Sequence, residues 1–85
     1  NELFVFKPAE TNPDLVIIEE LEPGVWRFTG AEIERLAAMT DWFNEEGVER
    51  FERILVSRGI SAQAEEAGVA FGDTVFIGNL ELQWD

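Results

Sequence analysis

The chain contains neither cysteine nor histidine. The first absence excludes a disulfide framework and a thiolate metal site, and it fits a reducing compartment. The second removes the commonest general base and the commonest metal ligand. No apolar run approaches the ~18 residues that a membrane span needs, and no signal-peptide pattern opens the sequence. Basic residues are scarce: Lys7, Arg27, Arg35, Arg50, Arg53 and Arg58 are all there are, against eighteen acids, for a net charge of −12. Each of the six stands near acidic neighbours. Such a field repels phosphate backbones, whose binding depends on lysine and arginine releasing counterions. Direct nucleic-acid binding is therefore not expected, and a basic protein surface is the partner that the charge favours.

What is present suits one small domain. A chain of 85 residues buries about 60–65% of its unfolded surface, so stability should be modest. Seven phenylalanines and three tryptophans supply large areas for the core. Residues 1–14 read as a linker from an upstream domain, because Lys7-Pro8-Ala9-Glu10-Thr11-Asn12-Pro13-Asp14 is extended in character after the short apolar run Leu3-Phe4-Val5-Phe6. The folded domain is expected over 15–85, as a monomer.

Leu15-Val16-Ile17-Ile18 and Val25-Trp26-Arg27-Phe28 flank Pro23-Gly24, which predicts a hairpin with Trp26 and Phe28 on one face and Arg27 on the other. At Thr29 the period changes. Thr29 and Glu32 fit a capping box that opens a helix with Ile33, Leu36, Ala37 and Thr40 on one stripe. After Asp41-Trp42-Phe43, Asn44 caps a second helix, with Glu45 and Glu46 in its first turn and Val48, Phe51 and Leu55 as its apolar stripe. Gly59 supplies the residue past its end, and Gly47 is a defect costing ~1 kcal/mol relative to alanine. Ser61 caps a short third helix ending at Gly68. In the last stretch, a two-residue turn at Gly78-Asn79 pairs Ile77 with Leu80 and Val75 with Leu82. Val75, Ile77, Leu80, Leu82 and Trp84 then face the core, while Phe76 shares the opposite face with Glu81 and Gln83. The expected class is α+β: a mainly antiparallel sheet of about four strands in two hairpins, with about three helices on one face.

Two segments carry a resemblance. Gly30, Glu34, Arg35, Leu36, Met39, Thr40 and Asp41 form a GxxxERLxxMTD block, and Gly72-Asp73-Thr74-Val75-Phe76-Ile77-Gly78 closes the chain as GDxVxIG. In this order, within a short acidic chain, they resemble the C-terminal domain of the Obg family of bacterial ribosome-associated GTPases. The match runs from about residue 15 to the end, and Gly68 and Gly59-Ile60 add to it. Each matched position also has a purely structural reading: Gly59, Gly68 and Gly78 as turns, Thr40-Asp41 as a helix exit, Met39 as a core contact. The chain departs from the family at Ala64, where a leucine is common, at Gly47, usually alanine, and at Phe76, often basic. Bulk from Trp42 or Phe43 is expected to compensate for Ala64.

The resemblance implies a parent that hydrolyses GTP with Mg in a missing upstream domain, acting in large ribosomal subunit maturation and stress signalling, the stringent response included, in the bacterial cytoplasm. This chain carries no GxxxxGKS/T phosphate loop, so no cofactor is expected in it. No serine, threonine or lysine has a histidine to activate it, and no segment matches a calcium loop. The implied role is a non-catalytic regulatory or interaction domain. Its partners would be the upstream domains of the parent, with a ribosomal particle or a basic protein as further candidates. The alternative is a structural appendage that stabilises or solubilises the parent without a partner of its own.

The candidate partner face is Asp41, Glu45, Glu49 and Glu52, on and before the second helix, with Phe76 as an isolated apolar residue on an otherwise acidic face. A solvated helix face is the preferred reading of the four acids, with Glu46–Arg50 and Glu49–Arg53 available as i,i+4 pairs worth tenths of a kcal/mol. A lone exposed phenylalanine is likewise ordinary on a protein surface.

Overall fold

Alternation and turn chemistry account for the sheet. The computed structural model describes residues 15–85, so the linker reading of 1–14 lies outside the described residues. β1 spans Ile17–Glu22 and β2 Val25–Thr29. β3 spans Thr74–Ile77 and β4 Leu80–Gln83. They form one four-stranded sheet in the order β1-β2-β3-β4. Both hairpins are antiparallel, and β2 and β3 join them in parallel at the centre. A parallel pair needs a long crossover, and here the three helices supply it. The pairings Ile77↔Leu80 and Val75↔Leu82 are those the Gly78-Asn79 turn predicts.

The registers stack side chains into rows. On the core face, Ile18, Phe28, Ile77 and Leu80 align across the four strands, beside the row Trp26, Val75 and Leu82. Phe28, Val75 and Ile77 are almost wholly buried. Trp84 closes this layer with an edge-to-face contact on Phe28, ring centroids 5.6 Å apart. The opposite face carries the row Glu19, Arg27, Phe76 and Glu81. A bulge between Glu20 and Glu22 leaves Leu21 unpaired and 40% exposed.

Helix α1, Ala31–Met39, lays Ile33 and Ala37 on the sheet. Its start differs from the expected capping box. Thr29 is still paired with Ile17 in the ladder, so the helix opens one residue later. Gly30 is its N-cap, and the Glu34 carboxylate reaches back to accept the Gly30 N–H at 3.0 Å. Glycine is required there by closeness rather than by torsion: a Cβ on Gly30 would lie 2.4 Å from the Leu15 carbonyl oxygen. Met39 is not a core contact but is 69% exposed. It follows Ala37 by two residues, about 200° around the helix at 100° per residue.

Helix α2, Glu45–Ser57, is capped by Asn44, whose side chain accepts the Glu46 N–H at 2.8 Å. Phe51 and Leu55 are its buried residues. Gly47 is more than a defect, because a Cβ there would stand 2.8 Å from the Asp41 carbonyl oxygen. Its absence lets the Asp41 turn fold against the helix. Helix α3, Ile60–Ala67, follows at once. Gly59, in the left-handed region at φ 76°, ends α2 and is also the N-cap of α3. Ser61 therefore falls inside the first turn and caps nothing. The Gln63 side chain ties α3 to the sheet by donating to the Val16 carbonyl at 2.9 Å. Ala64 is fully buried. Phe43 is fully exposed and brings no bulk to it. Trp42 turns inward, donating its indole N–H to the Ala37 carbonyl at 3.0 Å and packing edge-to-face on Phe51 at 5.0 Å.

Candidate functional site

The motif residues come first, because their positions show what they do. The Asp73 carboxylate accepts the indole N–H of buried Trp26 at 3.0 Å and the backbone N–H of Ala70 at 2.9 Å. It anchors the loop entering β3 to the middle of the sheet. Glu34 closes the α1 N-terminus through Gly30, and Thr40 closes its other end by donating its hydroxyl to the Leu36 carbonyl at 2.7 Å. Gly68 adopts φ 113° beside the Trp26 ring, and a Cβ on it would sit 3.6 Å from that ring. Glu34, Thr40 and Asp73 of the two motif blocks are thus engaged in holding the domain together. Among the described residues, no group of three or more His, Cys, Asp or Glu side chains is arranged to hold a metal ion, and no helix is long and apolar enough to cross a membrane.

The candidate acidic face assembles in part. Glu45, Glu49 and Glu52 are exposed and follow one another at helical spacing along α2. Asp41 is exposed in the turn before them, where its carboxylate accepts the Phe43 N–H at 3.1 Å and its carbonyl accepts the Asn44 N–H at 3.1 Å. Among the described residues, no ion pair joins Glu46 to Arg50 or Glu49 to Arg53. The pairs described bind Glu32 to Arg35 at 3.4 Å and to Arg58 at 3.8 Å. Helix α2 carries Glu45, Glu46, Glu49 and Glu52 against Arg50 and Arg53, and so keeps a net negative charge. Phe76 does not join the four acids. It is half-buried on the sheet face turned away from the helices, between Arg27 and Glu81.

A groove of about 570 Å³ lies between α2 and β4. Its floor is apolar, formed by Val48, Leu55 and Val56 from the helix, by Leu82 from β4 and by Trp84 just past it, with Glu52 and Asp85 on it as acids. Val56 is 66% exposed. The sequence places Leu82 and Trp84 in the core, and both pack against it while also lining this groove. One signal was available: Val56 stands outside the Val48, Phe51 and Leu55 stripe, an apolar residue with no place in the core.

This is a small α+β domain whose distinctive polar residues serve its own fold and whose surface is strongly acidic. Residues 16–84 match a family described as a domain of unknown function, DUF1967. The chain is 40% identical over 83 residues to the GTPase Obg of Herpetosiphon aurantiacus, covering 98% of this chain and 19% of that protein. It is 50% identical over 60 residues to the GTPase Obg of Symbiobacterium thermophilum, covering 71% of this chain and 14% of that protein. Over 85 residues it is 33% identical to the GTPase Obg of Roseiflexus castenholzii, covering 100% of this chain and 19% of that protein. The chain belongs to the Obg family of GTPases, as the C-terminal domain that lies outside their GTPase domain. It spans less than a fifth of the length of these relatives.

Proposed function

We propose that the domain is a non-catalytic regulatory and interaction module of an Obg-like GTPase, monomeric by itself. One observation carries this reading. The motif side chains Glu34, Thr40 and Asp73 are occupied in structural hydrogen bonds, while exposed acids, Glu45, Glu49 and Glu52 of α2 among them, help give the chain its net charge of −12. A surface of that kind acts through its field and through docking rather than through chemistry. The family resemblance supplies the setting: a parent that binds GTP and Mg in an upstream domain and acts in the cytoplasm on large ribosomal subunit maturation and stress signalling. Within it, the domain opposes contact between RNA and nearby basic surfaces, and offers its acids to a basic protein or to the upstream domains.

The competing reading is a structural appendage that only stabilises or solubilises the parent, and the structural use of the motif residues favours it in part. A pull-down with defined partners separates the two. The immobilised domain should retain the remainder of the parent or purified ribosomal particles, and lose them when Glu45, Glu49 and Glu52 are changed to lysine. Retention of neither partner at any salt concentration leaves the appendage reading in place.

A further inference from the structure

The groove between α2 and β4 runs beside a strand edge that no described residue pairs. The hydrogen bonds show which way that edge points. Trp84 donates its N–H to the Asp73 carbonyl at 2.7 Å, and its carbonyl accepts the Gly72 N–H at 2.6 Å, so both backbone groups of Trp84 face β3 and its entry. In an antiparallel strand successive residues alternate in this respect. The N–H and C=O groups of Gln83 and Glu81 therefore point away from β3, along the open side.

Side chains add a second constraint. A strand laid against β4 would send every other side chain to the helix side, over Leu82 and Trp84 and against Val56, into the apolar groove. The intervening side chains would fall on the other face, beside exposed Glu81 and Gln83. Glu52 and Asp85 border the groove itself, on a chain of net charge −12. A row of free backbone groups recognises extended chain, the groove recognises apolar side chains at every second residue, and the field favours cations.

We propose that this edge and groove receive an extended segment of a partner protein in which apolar and basic residues alternate, added as a further strand beside β4. The apolar side chains fill the groove against Val56, Leu82 and Trp84. The basic ones meet Glu81 on the outer face. The proposal rests on the reading of the domain as an interaction module and names the surface and the chemistry that module uses.

The test is peptide binding by the 85-residue chain, followed by calorimetry and by amide NMR shifts. The probe is a short acetylated peptide of alternating valine and lysine; the control has the same composition with the valines contiguous. The alternating peptide should bind at least about tenfold more tightly, with shifts concentrated on Glu81 to Trp84 and on the α2 residues of the groove. Gln83→Pro removes an outward N–H and no bond to β3, so the fold should persist while affinity falls about tenfold. Val56→Lys, at an exposed position, should weaken binding similarly. Equal affinity for the two peptides, or shifts confined to Glu45 and Glu49, would overturn the proposal in favour of charge attraction alone. No binding of either would overturn it outright. Dimerisation abolished by Gln83→Pro would assign the edge to a second copy, and tighter peptide binding after removal of residues 1–14 would assign it to that segment. Peptide binding is measured without the parent, so its failure is distinct from failure of the pull-down.

Discussion

Trp26 and Asp73, separated by 47 positions in the chain, are joined by a hydrogen bond of 3.0 Å between the indole N–H and the carboxylate. The bond links the centre of the sheet to the loop that begins the second hairpin. Asp73→Ala leaves the buried indole without an acceptor and frees the Ala70 N–H, which should cost about 2 kcal/mol, the range for hydrogen bonds to a charged group. Trp26→Phe removes the donor and part of the ring. A double-mutant cycle by urea denaturation should find positive coupling between the two sites; additive losses would show that the bond contributes nothing.

Gly47→Ala tests whether helix propensity or the Asp41 turn governs this position. Propensity alone predicts a gain of about 1 kcal/mol. The 2.8 Å approach of a Cβ to the Asp41 carbonyl oxygen predicts a net loss instead, because backbone must move to admit it. The thermal midpoint of the variant decides the sign.

Much of the fold was legible in the chain. Gly78-Asn79 set the register of β3 on β4, and the Asn44 cap and the period of Val48, Phe51 and Leu55 located α2, because each depends on neighbours in sequence. The misreadings involve distant ones. Thr29 and Glu32 have the residues of a capping box, but Thr29 is held by Ile17 across the ladder, so Gly30 and Glu34 take that role. Gly47 looks unfavourable until the Asp41 carbonyl is placed beside it. The parallel pairing of β2 with β3 and the groove beside β4 follow from how the helices pack on the sheet, which local pattern does not encode. For the candidate site, the line of acids on α2 could be read from spacing; the separation of Phe76 from it required the sheet.

Val75→Ala and Phe76→Ser probe the two faces of β3. Val75 is fully buried between Trp26 and Leu82, so its truncation should cost about 2 kcal/mol. Phe76 is half-buried on the open face and its replacement should cost less. Chemical denaturation of both variants checks the order, and the reverse order would contradict the assignment of faces.

Screening should stabilise the domain. Acids outnumber bases by eighteen to six, and self-repulsion of that kind opposes the compact state. Raising salt from ~0.01 M to ~0.1 M shortens the Debye length from about 30 Å to about 10 Å. The thermal midpoint should rise, by about 4–8 °C for each kcal/mol regained, and changing Glu45, Glu49 and Glu52 to lysine should flatten that dependence. Scanning calorimetry across the salt series reads both effects.

The most direct test of the regulatory role compares RNA and ribosome binding by the full-length parent with that of a parent lacking residues 15–85, over a salt series. An acidic domain that opposes RNA contact predicts tighter nonspecific binding after the deletion, greatest at low ionic strength and fading as the Debye length falls to ~10 Å at 0.1 M. Equal affinities of the two proteins at every salt concentration would contradict it.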